Sequence, residues 1–170
     1  DVCSSDLFDF VLRMVVDLGR AGYRTLAIDV TVENTGPEPM PVHFGLHPYF
    51  LVSDKDRDRI RVEVDANYAF DNNSGETGPW NRELDLTVPG VDLHLTDLQS
   101  QTVLLHLPGK TPRRIEMSDF FTTVVLWQSA MQDFLCVEPW SAPSDALNTG
   151  VCLRTIEPGD SIFGEVTISV

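Results

Sequence analysis

The sequence predicts an all-β chain, built as one antiparallel sandwich. Three observations carry that prediction. Apolar residues recur with period two, as they do on a half-buried strand. Helical spacing is almost absent. Clusters of Gly, Pro, Asn and Asp separate the alternating runs at intervals that suit hairpins.

Taken in order, Phe10, Leu12, Met14 and Val16 alternate through FVLRMVVD, and Leu26, Ile28, Val30 and Val32 through RTLAIDVTVEN. Between them Leu18-Gly19-Arg20-Ala21-Gly22 supplies turn residues, so the two runs read as a hairpin. Asn34-Thr35-Gly36-Pro37 ends the second run. Further strands are expected at Ile60–Val64, at Val103–Leu107, at the β-branched and aromatic Phe121–Trp127, and at Asp133–Glu138, Val151–Ile156 and Ile162–Val170. Glu157-Pro158-Gly159-Asp160 joins the last two. Asp71–Asn81, rich in Asn and Gly, reads as a long loop.

Composition narrows the function classes. The 170 residues, 42% hydrophobic and 22% charged, suffice for one domain with a full core. With 26 acidic against 12 basic residues the formal charge is -14, which excludes a nucleic-acid binder relying on clustered Lys and Arg. The one basic run (Lys55, Arg57, Arg59, Arg61) is interleaved with Asp54, Asp56 and Asp58. No apolar run reaches the length of a membrane helix, so no membrane partner is expected. Three cysteines without zinc or CxxC spacing read as reduced thiols, with Cys136 and Cys152 buried in apolar runs; with no secretory signal visible, a cytoplasmic location is expected. The opening Asp1-Val2-Cys3-Ser4-Ser5-Asp6-Leu7 resembles the translation of a sequencing-adapter end, so residues 1–7 are read as a non-native scar.

Two segments carry candidate chemistry. In Phe44-Gly45-Leu46-His47-Pro48-Tyr49-Phe50, the proline holds His47 extended, and Gly45 allows close backbone approach. His47 in this semi-apolar setting is either a general acid or base or a packed structural histidine. In Cys136-Val137-Glu138-Pro139-Trp140, Glu138 ends an apolar strand. Partial desolvation would make it a better base; the plainer reading is a rim carboxylate. Trp140 offers a flat apolar face to a sugar ring, or is a core residue. The His43–His47 spacing suits a helical metal site, but Gly45 and Pro48 spoil the helix, and no metal site is expected. His94 and His106 read as surface or packing residues without evident partners. Asp92 and Asp97 read by default as solvated face charges.

Together the segments resemble the aldose 1-epimerase (galactose mutarotase-like) family, in the bacterial branch carrying HPYF and EPW. The resemblance rests on Asn34–Phe50 (NTGPEPMPVHFGLHPYF), on Glu138–Pro143 (EPWSAP), on Ala146–Gly150 (ALNTG) and on Pro158-Gly159. It implies a β-supersandwich and interconversion of the α and β anomers of a hexose without metal or organic cofactor. It places His47 as general acid, Glu138 as general base, Asp92 on sugar hydroxyls and Trp140 in the pocket wall. It further implies that residues 8–170 are the C-terminal part of a single domain whose N-terminal strands are missing. A non-catalytic carbohydrate-binding module on the same fold, in which Trp80, Trp140 and the acidic loops bind sugar without turnover, is the alternative. A glycoside hydrolase using Glu138 with Asp92 ranks below both, because His47 has no place in it.

Overall fold

The computed structural model describes residues 7–20, 23–81, 83–88, 90–129 and 132–170. Residues 1–6 of the suspected scar, with Cys3, and Ala21 and Gly22 of the first turn lie outside the described residues. The opening hairpin joins β1 (Phe10–Leu18) to β2 (Thr25–Asn34) with Leu18 opposite Leu26. Two short strands follow, β3 (Met40–Val42) and β4 (Tyr49–Leu51). Next come a 3₁₀ turn at Asp54–Arg59, β5 (Arg61–Asp71), β6 (Glu76–Pro79), the long β7 (Val91–His106) and β8 (Arg113–Met117). The chain ends with β9 (Thr123–Gln128), β10 (Phe134–Trp140), the single-turn helix α1 (Ala146–Thr149), β11 (Arg154–Ile156) and β12 (Ser161–Ser169). Every pairing among these strands is antiparallel.

β7 organises the molecule. One edge is lined by β5, with a register shift between Val64 and Ala66. The other edge is shared: Val91–Leu95 pair with β9, whereas Thr102–Leu105 pair with β8. Between these stretches Asp97 takes a left-handed φ of 55°. A non-glycine residue rarely adopts this conformation except where a strand bulges or bends. The sheet therefore divides at the middle of β7 into two arms, β8-β12-β2-β1 and β9-β10-β4. Ile115, Met117 and Val166 of the first arm share one core cluster with Val124, Leu126, Leu135 and Val137 of the second. The arms thus fold over a common core as the two layers of a sandwich. A smaller cluster joins β2 to the separate β3–β11 ribbon through Val30, Val32, Met40, Val42 and Ile156.

The turn motif before β3 and the one after β11 lie at the same end of this ribbon and meet. Buried Asn34 donates from Nδ2 to the carbonyls of Glu38 and Ile156, each at 2.8 Å. Its own carbonyl accepts from Gly159 N–H, and its N–H reaches Asp160 O. Gly159 sits at φ 81°, which explains a glycine there.

Several expectations are corrected. β1 has the alternation of a half-buried strand, yet its apolar residues are exposed, from 37% at Val11 to 81% at Leu18. Among the described residues it is the last strand of its arm and pairs only with β2. Asp71–Asn81 is not a structureless loop, since β6 folds back on β5 from Tyr68↔Pro79 to Asp71↔Glu76. Trp80 is core, with its indole N–H bound to Val64 O. Cys136 is buried as expected, whereas Cys152 is exposed on a left-handed turn. His106 has an ion-pair partner, Glu63, at 2.8 Å.

Candidate active site

Strand alternation sorts the second arm into two faces. Leu95, Val124, Leu126, Leu135 and Val137 point into the core. The residues between them, Asp92 and His94 on β7, Val125 and Trp127 on β9, and Cys136, Glu138 and Trp140 on β10, occupy the other face. Val125 and Cys136 are buried yet belong to neither apolar cluster, because they lie beneath this second face. Register aligns the residues in rows. Asp92, Trp127, Cys136 and Tyr49 form one, and His94, Val125 and Glu138 form the next.

His47 enters through the same register. Gly45 bridges Trp140, and Tyr49 pairs with Cys136. Counting inward from either pair sets His47 opposite Glu138. The ladder bonds flanking that pair would be donated by the N–H groups of residues 48 and 139, and both are proline. The His-Pro and Glu-Pro dipeptides thus delete the two backbone bonds that would clamp the pair. Side chains of such a pair project on the same face and come close together. Leu46 N–H to Pro139 O and Ser141 N–H to Phe44 O anchor the segment just before the gap. Gly45 is required for this approach, since a Cβ there would sit 2.5 Å from Trp140 Cδ1.

The resulting geometry is a close histidine–carboxylate contact. His47 Nε2 lies 3.1 Å from Glu138 Oε1, with the histidine half exposed and the carboxylate side chain only 2% exposed. Oε1 accepts no hydrogen bond of good geometry. Oε2 accepts one from Trp140 Nε1 at 3.0 Å. Burial pushes the Glu138 carboxyl above the ordinary carboxylate range; His47 and the Trp140 N–H oppose the shift, and the Asp92 charge adds to it. His47 stacks on Tyr49 at 4.9 Å and meets the edge of Trp127 at 5.6 Å.

The remaining candidates fall around this pair. Asp92 accepts from Asn72 Nδ2 at 2.8 Å and contacts His94 Nε2 at 3.0 Å. His94 is therefore neither a surface residue nor partnerless; it is 5% exposed and packs against Trp140, with ring centroids 5.2 Å apart. The i,i+2 spacing of Asp92 and His94 on one strand was a visible signal for this contact. Trp140 is wedged between His94 and His43. His43 does not join His47; its Nδ1 lies 3.2 Å from Ser141 Oγ. Burial lowers the His43 pKa. Tyr49, Trp127 and Cys136 were not singled out as site residues from sequence, although each follows from the period-two face once the register is known.

The site is thus a buried carboxylate against a half-exposed histidine on one face of an antiparallel sandwich. The chain belongs to the aldose 1-epimerase family, whose sequence profile matches residues 5–169. The Slr1438 protein from Synechocystis sp. PCC 6803 is 31% identical, with a TM-score of 0.88 over 95% of this chain and 55% of that one. A galactose mutarotase-like protein from Clostridium acetobutylicum (16% identity, TM-score 0.78, 95% of this chain, 56% of that chain) shares the fold. So does a galactose mutarotase related enzyme from Lactobacillus acidophilus (18% identity, TM-score 0.71, 95% and 61%). The chain thus spans a little over half the length of these structures. No curated protein sequence matches it significantly. Among the described residues no helix is long and apolar enough to cross a membrane.

Proposed function

We propose that the chain carries the acid–base pair of an aldose 1-epimerase, with Glu138 as base and His47 as acid. The observation that carries the reading is the approach of His47 Nε2 to the buried Glu138 carboxylate at 3.1 Å. Glu138 removes the proton of the C1 hydroxyl while protonated His47 delivers one to the ring oxygen. The C1–O5 bond breaks, C1 becomes an aldehyde, and rotation about C1–C2 turns its other face to the C5 hydroxyl. Closure returns the first proton from Glu138 to O1 and the second from O5 to His47. Both oxygens are substituents of C1, so two groups side by side can serve them. The contact between them favours this adjacent arrangement. The missing ladder bonds at Pro48 and Pro139 leave His47 free to part from Glu138 as a sugar enters.

Asp92 holds a sugar hydroxyl in this reading. Its carboxylate keeps spare lone pairs beyond the contacts to Asn72 and His94, and its side chain is 21% exposed. Trp140 serves mainly by orienting Glu138 through its N–H, with its ring in the pocket wall. Trp127 and Tyr49 frame the histidine. The substrate is a hexose and the location cytoplasmic, in keeping with the free thiols Cys136 and Cys152. NMR exchange between the α and β anomers of a panel of hexoses tests the reading, on this chain and on one extended to the length of the relatives. Accelerated exchange supports it. Saturable sugar binding without acceleration in the extended chain would leave only a binding module.

The base must be ionised to act, so activity falls as pH drops through the Glu138 pKa. Because burial raises that pKa, the acid limb of kcat/KM is expected to have its midpoint above the ordinary glutamate value of about 4.3. A midpoint at or below that value would contradict the assigned base.

We also propose that residues 8–170 form part of a larger sandwich whose further strands pack beside β1. The support is the exposed apolar row Phe10, Leu12, Met14 and Val16 at the end of one arm. In an extended chain the β1 amides should exchange with deuterium much more slowly than in this one; equal exchange in both would refute the docking.

A further inference from the structure

We propose that His47, Cys136 and Glu138 form a binding site for a thiophilic divalent cation, with Zn²⁺ as the type case, and that the cation silences the acid–base pair. The inhibitory half rests on the function proposed above; the binding half does not. His47 Nε2, Cys136 Sγ and a Glu138 carboxylate oxygen all lie within 4.8 Å of one another. Zn²⁺ bonds of about 2.0–2.3 Å would set such atoms about 3.3–3.6 Å apart at tetrahedral angles. The largest closure required is therefore about 1.2–1.5 Å, and His47 is the one exposed group of the three. Its side chain is half exposed, and its backbone stands in the ladder gap left by Pro48 and Pro139.

A second observation points to a ligand. Glu138 Oε1 is buried and accepts no hydrogen bond of good geometry, although it is aimed at His47. A buried acceptor without a satisfying donor is costly, and a cation would satisfy it. Cys136 is fully buried and, among the described residues, its thiol is free. Register makes the cluster: Cys136 and Glu138 are i,i+2 on one face of β10, and His47 stands opposite Glu138. One nitrogen, one sulfur and one oxygen select zinc-like ions over Mg²⁺ and Ca²⁺, which prefer oxygen alone. Three protein ligands leave the fourth position on the exposed side of His47 for water or a sugar hydroxyl.

Such a cation would occupy Nε2 and Oε1, the two atoms assigned to proton transfer. It would therefore inhibit, and the metal-free form would be the active one.

The test is titration of the full chain with Co²⁺, followed by near-ultraviolet absorption for a cobalt–thiolate charge-transfer band. The expected result is a band that saturates near one equivalent, disappears on addition of Zn²⁺ and is insensitive to Mg²⁺. Cys136→Ala should remove the band and, with each protein compared against its own metal-free rate, weaken zinc inhibition at least about tenfold. Cys136→Ser, close in size but a poor ligand for a soft ion, serves if the alanine variant is unstable. No band in the parent, or a band that survives in the cysteine variants, overturns the site. A band without any anomer exchange upholds the site and counts against the enzymatic reading. Exchange that is indifferent to bound Zn²⁺ overturns the inhibition.

Discussion

Replacing Glu138 with Gln is expected to slow anomer exchange by about 10²- to 10⁴-fold, the range attributable to one positioned acid or base. Gln is the informative substitution because its carbonyl oxygen can still accept the Trp140 N–H bond that Glu138 Oε2 accepts at 3.0 Å. Shape and packing are kept while basicity is lost. His47→Gln should fall in the same range. The double variant should lose much less than the product of the two single losses, because acid and base act as one unit. The single substitutions also differ in a way that mere structural damage does not. His47 holds the Glu138 pKa down against burial. Its removal should therefore move the acid limb of the residual activity to higher pH, whereas Glu138→Gln should abolish that limb. Polarimetry or NMR exchange gives the rates, and sugar affinity and thermal unfolding separate chemistry from binding and folding. Single variants within about twofold of the parent would remove both residues from the mechanism.

How far the sequence led differs from element to element. The hairpin of β1 and β2 was legible because its two alternating runs flank turn residues. Alternation reports which residues share a face and not whether anything covers that face, so the exposure of β1 was invisible. β7 was read in two pieces, a strand-to-turn segment at 91–98 and a strand at Val103–Leu107, because Asp97 looked like a turn where the strand bends rather than ends. β8 (Arg113–Met117) was missed because only its two apolar residues, Ile115 and Met117, reach the core. In the site, His47 and Glu138 stood out by their motifs, and their juxtaposition needed only the register of β4 against β10. Trp127 lacked a motif; it becomes part of the patch because β9 lies between β7 and β10. Trp80 misled in the other direction, since an aromatic beside a Gly- and Asn-rich stretch looks like a binding face. The indole hydrogen bond to Val64 O shows it instead as a core residue.

Phe121→Ala is expected to destabilise the fold by about 3–5 kcal/mol, the usual cost of deleting a fully buried phenylalanine. Phe121 has no exposed surface. Its ring meets Phe120 and Phe44 edge-on, at 5.2 and 5.9 Å between centroids. On a further side lies Gly164 of β12, where a Cβ would fall 3.1 Å from Phe121 Cζ and 2.8 Å from Phe120 Cδ1. The cavity left by the ring therefore faces a residue with no side chain to move into it, which places the loss toward the upper end. For a chain of this size each kcal/mol corresponds to about 2–4 °C in Tm. The effect should also reach the site. Phe44 stacks on Phe120 at 4.7 Å and anchors Ser141 through its carbonyl, three residues before His47. Loosening that anchor lets His47 drift from Glu138, so kcat should drop even where the variant remains folded. Phe163→Ala, on β12 but 49% exposed, is the matched control and should shift stability by no more than about 0.5 kcal/mol. Urea denaturation of the three proteins measures the difference. A Phe121→Ala loss below about 1 kcal/mol, or one equal to that of Phe163→Ala, would mean that the aromatic triad does not hold the two arms together.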